Sequence, residues 1–147
     1  MPTTQKPVHR HVVRYHETDA QGIVFNARYL ELFDVALTEF FRSLGWPYPE
    51  LVKMGLDPAL VRADIEFLRP AAFDDVLEVR AACTRLGRSS FTLSFSITRG
   101  DEGELNRANI TYVNFDSKTG RSRPIPGDIR DALAALAAAQ DGDSTAP

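Results

Sequence analysis

The 147-residue chain has one cysteine, two methionines, one tryptophan and no apolar run long enough to cross a bilayer. Cys83 alone can build neither an internal disulfide framework nor a cysteine cluster for zinc or iron–sulfur. Without about 18 consecutive apolar residues, no segment is expected to span a membrane. The opening MPTTQKPVHRHVVRY lacks the apolar core and small cleavage-site residues of a secretory signal. Neither charge dominates: 17 basic and 20 acidic residues leave a net −3, which gives no general attraction to nucleic acid or anionic lipid. Repeats and low-complexity tracts are missing too. A cytoplasmic location follows as the expectation. With 44% hydrophobic and 25% charged residues, the composition is that of a folded globular chain. The length suits one domain, expected over residues 1–139, with 140–147 (QDGDSTAP) as a disordered tail and residues 1–7 as a frayed start.

The apolar periodicity changes along the chain. Residues 8–15 carry β-prone bulk at Val12, Val13 and Tyr15 and predict a strand. A polar loop follows over 16–22. Tyr29, Leu30, Phe33, Ala36, Leu37, Phe40, Phe41 and Leu44 then recur at three- and four-residue steps, which predicts a helix of about four to five turns. Asn26 reads as its N-cap, and Gly45 with Pro47 as its stop. Residues 46–58 read as an irregular connection. Period two then takes over at Val61, Ala63, Ile65 and Phe67, again over 76–86, and most clearly at Phe91, Leu93, Phe95 and Ile97. Gly100–Gly103 predicts a hairpin turn into a fourth strand over 105–115, and 129–139 predicts a short alanine-rich helix. Strands that follow one another without helices between them exclude a doubly wound parallel sheet. They predict an α+β fold, a mostly antiparallel five-stranded sheet with a long helix on one face.

Chemistry concentrates between Tyr15 and Leu44. Asp19 stands three residues before Gly22, and the apolar run Ile23-Val24-Phe25 leads into a helix start near Asn26. A helix N-terminus offers unpaired N–H groups and partial positive charge. A carboxylate beside such a dipole supplies two parts of an acyl-transfer site, a nucleophile or base and an oxyanion donor. Asp19 before Gly also fits an ordinary Asx-turn. Asp34 and Glu39, on the helix, are rival catalytic acids. His9 and His11 would share a strand face, but no third metal ligand is evident, so no metal is expected. Cys83 falls on an apolar strand face and reads as buried and inert.

This segment resembles the signature of hotdog-fold acyl-CoA thioesterases of the 4-hydroxybenzoyl-CoA thioesterase type. The matching pattern is D19-A-Q-G22-I-V-F-N-A-R-Y29, closing at Leu44-Gly45. The likeness continues in Asp64–Pro70 (DIEFLRP), Phe73–Val79 (FDDVLEV) and Leu86–Phe91 (LGRSSF), and so covers about residues 8–116. It implies that Asp19 attacks the thioester carbonyl or activates water, with Gly22 and the backbone at Asn26 setting the helix N-terminus against the carbonyl oxygen. Tyr29 and Phe25 are implied to line the acyl pocket, with Trp46, Tyr48 and Phe67 as further aromatics that could shape it. Arg88, Ser89 and Ser90 match the region that contacts the coenzyme A phosphates, where an arginine suits phosphate. Two positions depart from the family pattern. Asn26 stands where many members have His or Tyr, and Ser89 where some have a second basic residue. The resemblance further implies an acyl-CoA substrate carrying an aromatic or short-chain acyl group, no bound cofactor, and a homodimer or homotetramer with sites formed between subunits. A hotdog-fold dehydratase or hydratase and a non-catalytic acyl-CoA-binding module are the alternative functions.

Overall fold

The computed structural model describes residues 5–144. Along the chain come β1 (His9–Val12), a single 3-10 turn (Tyr15–Glu17), α1 (Arg28–Ser43), α2 (Tyr48–Met54), β2 (Pro58–Phe67), β3 (Val76–Leu86), β4 (Ser90–Thr98), β5 (Glu104–Asp116), β6 (Arg121–Ser122) and α3 (Gly127–Ser144). The sheet runs in the order β1-β3-β4-β5-β2, and the short β6 pairs with β5. β1 lies antiparallel to β3, with His9 opposite Val79 and His11 opposite Leu77. β2 also runs antiparallel to β5: Leu68 N–H donates to Leu105 O, while nearer the other end Phe115 N–H donates to Asp57 O. No described helix is long and apolar enough to cross a membrane.

The chain forms two compact units. The first comprises Met1–Gly45, Ile65–Ala81 and Phe95–Ala108. Its centre is α1, whose Tyr29, Phe33, Ala36, Leu37, Phe40 and Phe41 are buried as the periodicity requires, while Leu44 is half-buried; Leu30, expected on the same stripe, is exposed, and Leu32 is buried in its stead. Phe33 meets Phe95 of β4 with ring centroids 5.1 Å apart. Each such aromatic removed from water stabilises the unit by roughly 1.5–3 kcal/mol. Helix α1 stops where expected: Gly45 has φ +96 and donates to Arg42 O. Its start differs from expectation. Ala27, already helical at φ −66 and ψ −21, takes the cap position and no side chain caps the end. Asn26 is therefore not the N-cap. The chain enters α1 through a turn that needs none, because Arg28 N–H donates to Phe25 O and Tyr29 N–H to Asn26 O.

The second unit comprises Trp46–Asp64, Ala82–Ser94 and Asn109–Pro147. Phe91 stacks on Tyr112 at 5.3 Å, and Leu51, Leu56, Leu93, Ile110, Ile125, Ile129 and Leu133 are buried. Here the expected irregular connection contains α2. A seven-residue helix shows little period, and its prolines suggested a break. Yet proline is tolerated in a first helical turn, and Gly55 at φ +98 provides the left-handed stop. Asn114 of β5, fully buried, holds this unit's loops. Its Nδ2 donates to Gly55 O (2.8 Å) and Pro124 O (3.0 Å), and its Oδ1 accepts from Asp57 N–H (3.0 Å). Helix α3 continues to Ser144, five residues beyond the expected end at Ala139 and into the stretch expected as a tail. Residues 145–147, and residues 1–4 of the expected frayed start, lie outside the described residues.

Two strands depart from expectation. β1 is short because the chain after Arg14 winds into the 3-10 turn, whose first amide, Arg14 N–H, donates to Glu17 Oε1 at 2.7 Å. β2 alternates in sequence, but it stands at the sheet edge and buries neither face: Val61 is 57% and Phe67 54% exposed. The polar row of β4 is partly covered. Thr92 meets Thr111 at 2.9 Å and Ser96 is buried.

Candidate active site

The loop carrying Asp19 is a narrow closed turn in the first unit. Thr18 pairs with Val24, Asp19 N–H donates to Ile23 O (2.9 Å), and Gly22 N–H donates to Asp19 O (2.9 Å). Gly22 adopts φ +79, a left-handed conformation that side chains resist, which is the physical reason for glycine there. Nearby, Val24 N–H donates to Ala71 O (2.8 Å) and Ile23 pairs with Ala72. That second loop is pinned in turn. Asp75 Oδ2 accepts from Ala72 N–H (2.7 Å) and from Arg99 Nη1 (2.6 Å).

Asp19 Oδ1 accepts from Gln21 N–H at 2.8 Å, so the Asx-turn is real. It occupies one carboxylate oxygen. Oδ2 takes no hydrogen bond among the described residues. Asp19 lines a cleft of about 520 Å³ together with Gln21, Ile23, Val24, Phe25, Asn26, Tyr29 and the segment Phe67–Pro70. Among the described residues, no hydrogen bond engages the N–H of Asn26 or Ala27, the two amides that precede the first bonds of α1. A carboxylate, the unengaged amide of Asn26 beside the helix start and an apolar wall therefore share one cleft, with the Ala27 amide next along the chain. Tyr29 is buried and meets Phe67 edge-on at 5.6 Å. Burial pushes its hydroxyl pKa up, opposed by a backbone hydrogen bond from Ala71, so this phenol is neutral at neutral pH.

The expected residues divide between two places. Asp19, Phe25, Asn26 and Tyr29 line the cleft, and Gly22 shapes the loop behind it. Arg88, Ser89 and Ser90 lie in the second unit at the β3–β4 turn and do not line the cleft. Arg88 is exposed there, and its carbonyl accepts Ile125 N–H. Trp46 and Tyr48 are also in the second unit, and Tyr48 bonds Asp57. Asp34 is exposed and Glu39 pairs with Arg42; neither lines the cleft. Sequence reasoning missed Leu68, Arg69 and Pro70 as lining residues. Their signal was the LRP tripeptide directly after a strand, where chain direction changes. No cluster of three or more His, Cys, Asp or Glu side chains fit to hold a metal occurs among the described residues.

A family model described as the thioesterase superfamily matches residues 21–106. The chain belongs to the thioesterase superfamily. Among solved structures, this thioesterase-superfamily chain is similar to a hypothetical protein of Aquifex aeolicus, with 35% identity and a TM-score of 0.77 over 85% of this chain and 97% of that one. A gentisyl-coenzyme A thioesterase is 28% identical, with a TM-score of 0.76 over 83% and 98% of the two chains. The long-chain acyl-CoA thioesterase FadM of Escherichia coli K12 is 30% identical over 125 residues, 82% of this chain and 92% of FadM. The hotdog fold and the thioester-hydrolase class are those that the Asp19–Leu44 signature implied.

Proposed function

We propose that this protein hydrolyses an acyl-CoA thioester, releasing coenzyme A and a carboxylic acid, at the Asp19 cleft. The observation that carries this reading is that Asp19, whose Oδ2 takes no hydrogen bond among the described residues, lines one cleft with Asn26, whose amide is likewise unengaged. The Asn26 and Ala27 amides would hold the carbonyl oxygen as it gains charge. Asp19 would either attack the carbonyl carbon, expelling the coenzyme A thiolate, or take a proton from a water that attacks it. Gly22 lets the loop close tightly enough to present the carboxylate. Asn26, exposed and neutral, contributes a backbone amide rather than acid–base chemistry.

An aromatic or short-chain acyl group is the substrate we favour. Phe25, Tyr29 and Phe67 give the cleft three aromatic walls, and its volume lies within the usual range for small ligands. Arg88, Ser89 and Ser90 are assigned to the coenzyme A nucleotide, because an exposed guanidinium on a tight turn suits phosphate. No histidine is among the cleft's lining residues, so the dehydratase alternative lacks its customary base.

The working unit is proposed to be a homodimer. β2 is an edge strand ten residues long, with Leu60, Val61 and Phe67 exposed and Leu68 exposed just past its end, and pairing it with a second copy would cover that edge. Sedimentation should give a dimer or a multiple of it, and Val61→Lys should weaken it; a stable wild-type monomer would contradict the assignment. The activity itself is tested by thiol release from aromatic and aliphatic acyl-CoA esters, with Asp19→Asn beside the wild type.

A further inference from the structure

The Asp19 loop is held at its base by one side-chain hydrogen bond that the mechanism does not use. His11, fixed in β1 opposite Leu77, places Nε2 2.7 Å from Glu17 Oε1. The same oxygen accepts Arg14 N–H at 2.7 Å. Both side chains are largely covered, 21% exposed for His11 and 13% for Glu17. The Glu17 carbonyl, meanwhile, accepts Phe25 N–H at 2.9 Å, and Thr18 pairs with Val24 one step further on. Glu17 thus stands where both legs of the loop meet: Asp19 is two residues along one leg, and Phe25, leading into the α1 amides, ends the other.

We propose that His11 and Glu17 are positioning residues for the hydrolysis, fixing the Asp19 carboxylate relative to the amides at the start of α1. The inference rests on the hydrolase reading of the Asp19 cleft. Neither residue lines the cleft, so neither touches substrate, and their effect passes through Asp19. Two constraints hold Glu17 from different directions, one from the sheet through His11 and one from its own turn through Arg14. Removing the first leaves the side chain anchored only to the loop it is meant to fix. Burial pushes the Glu17 carboxyl up, but the Arg14 amide and His11 outweigh it and hold the group below its ordinary value, so the pair is an ionised acceptor with firm donors. A reacting carboxylate displaced by about 1 Å loses on the order of 100-fold in rate, whereas distant apolar walls still bind the acyl group.

The test is a double-mutant cycle read by steady-state thiol release. His11→Leu removes the donor and should lower kcat about 10-fold while KM changes less than about 2-fold. His11→Gln, whose amide N–H can reach the same oxygen, should restore most of that loss. In the Asp19→Asn background, His11→Leu should cost nothing further, because its effect runs through the missing carboxylate. Full kcat in His11→Leu, a loss confined to KM, no rescue by Gln, or losses that simply multiply would each overturn the proposal. Should His11→Leu not fold, His11→Ala with and without added imidazole makes the same comparison, and a kcat that imidazole does not raise would count against it. An Asp19→Asn protein with full activity would overturn the hydrolase reading and this proposal together; an inactive Asp19→Asn beside a fully active His11→Leu would overturn this proposal alone.

Discussion

Asn114→Ala should destabilise the protein by about 3 kcal/mol, through loss of buried hydrogen bonds. Asn114 is fully buried, and both of its amide N–H groups and its carbonyl oxygen are used. Bonds to Gly55 O, Pro124 O and Asp57 N–H are each worth about 1 kcal/mol net. A longer contact from Arg123 Nε at 3.3 Å adds little. Truncation also leaves a small cavity and unpaired backbone groups, whereas relaxation and rehydration of the exposed Pro124 work the other way. For a chain of this length, 3 kcal/mol corresponds to a fall in Tm of about 10 °C. Urea unfolding followed by circular dichroism measures the difference directly. Asn114→Asp sharpens the test. It keeps an acceptor for Asp57 N–H but turns a buried carboxylate toward two carbonyl oxygens, and should be at least as damaging as alanine. A loss below about 1 kcal/mol in either variant would refute the view that this one side chain ties β5 to the loops at Gly55–Asp57 and Pro124.

Acidification should reduce stability in two stages. Burial, reinforced by His11, holds His9 below its ordinary value of 6.5, so the unfolded chain takes up a proton there first; the stability present above pH 6.5 is lost as pH falls through the folded value. Glu17 is held below its ordinary 4.5, so its contribution is intact above that pH and lost as pH falls through its lower folded value. Thermal melts from pH 8 to pH 3 check both stages: His9→Asn should flatten the first and Glu17→Gln the second, and a flat wild-type profile would contradict the assignment. Cys83 is buried, and burial pushes its thiol up to about 11. In native protein at pH 8 a thiol reagent should label it at least about 1,000-fold more slowly than in unfolded protein, and rapid labelling would show that the site is open.

Long, strongly periodic elements were legible in the residues. The α1 stripe from Tyr29 to Phe41, its stop at Gly45 and the alternation of β4 each agree with the structure because local pattern and tertiary burial ask for the same thing. The Asp19–Gly22 loop was legible because a left-handed glycine and an Asx-turn have local sequence signals. What was hidden depends on partners distant in sequence or on short elements. Helix α2 is set by caps rather than by period. The uncovered faces of β2 follow from its edge position, which alternation cannot reveal. Arg69 and Leu68 reach the cleft only because β2 ends beside the loop at Val24 and Ala71. His16, three residues before Asp19, is exposed, and it is His11, distant in sequence on β1, that bonds Glu17 in the loop.

The central claim is that the Asp19 carboxylate performs thioester hydrolysis in a cleft that the start of α1 completes. Thiol release from a panel of aromatic and aliphatic acyl-CoA esters, with wild type and Asp19→Asn side by side, tests it most directly. The substitution preserves the Oδ1 acceptor for Gln21 N–H, so the loop should keep its shape while losing the charge. The wild type should release coenzyme A, fastest from aromatic or short acyl groups, and Asp19→Asn should be slower by a factor on the order of 100 or more at unchanged Tm. Undiminished hydrolysis by a folded Asp19→Asn protein would contradict the account.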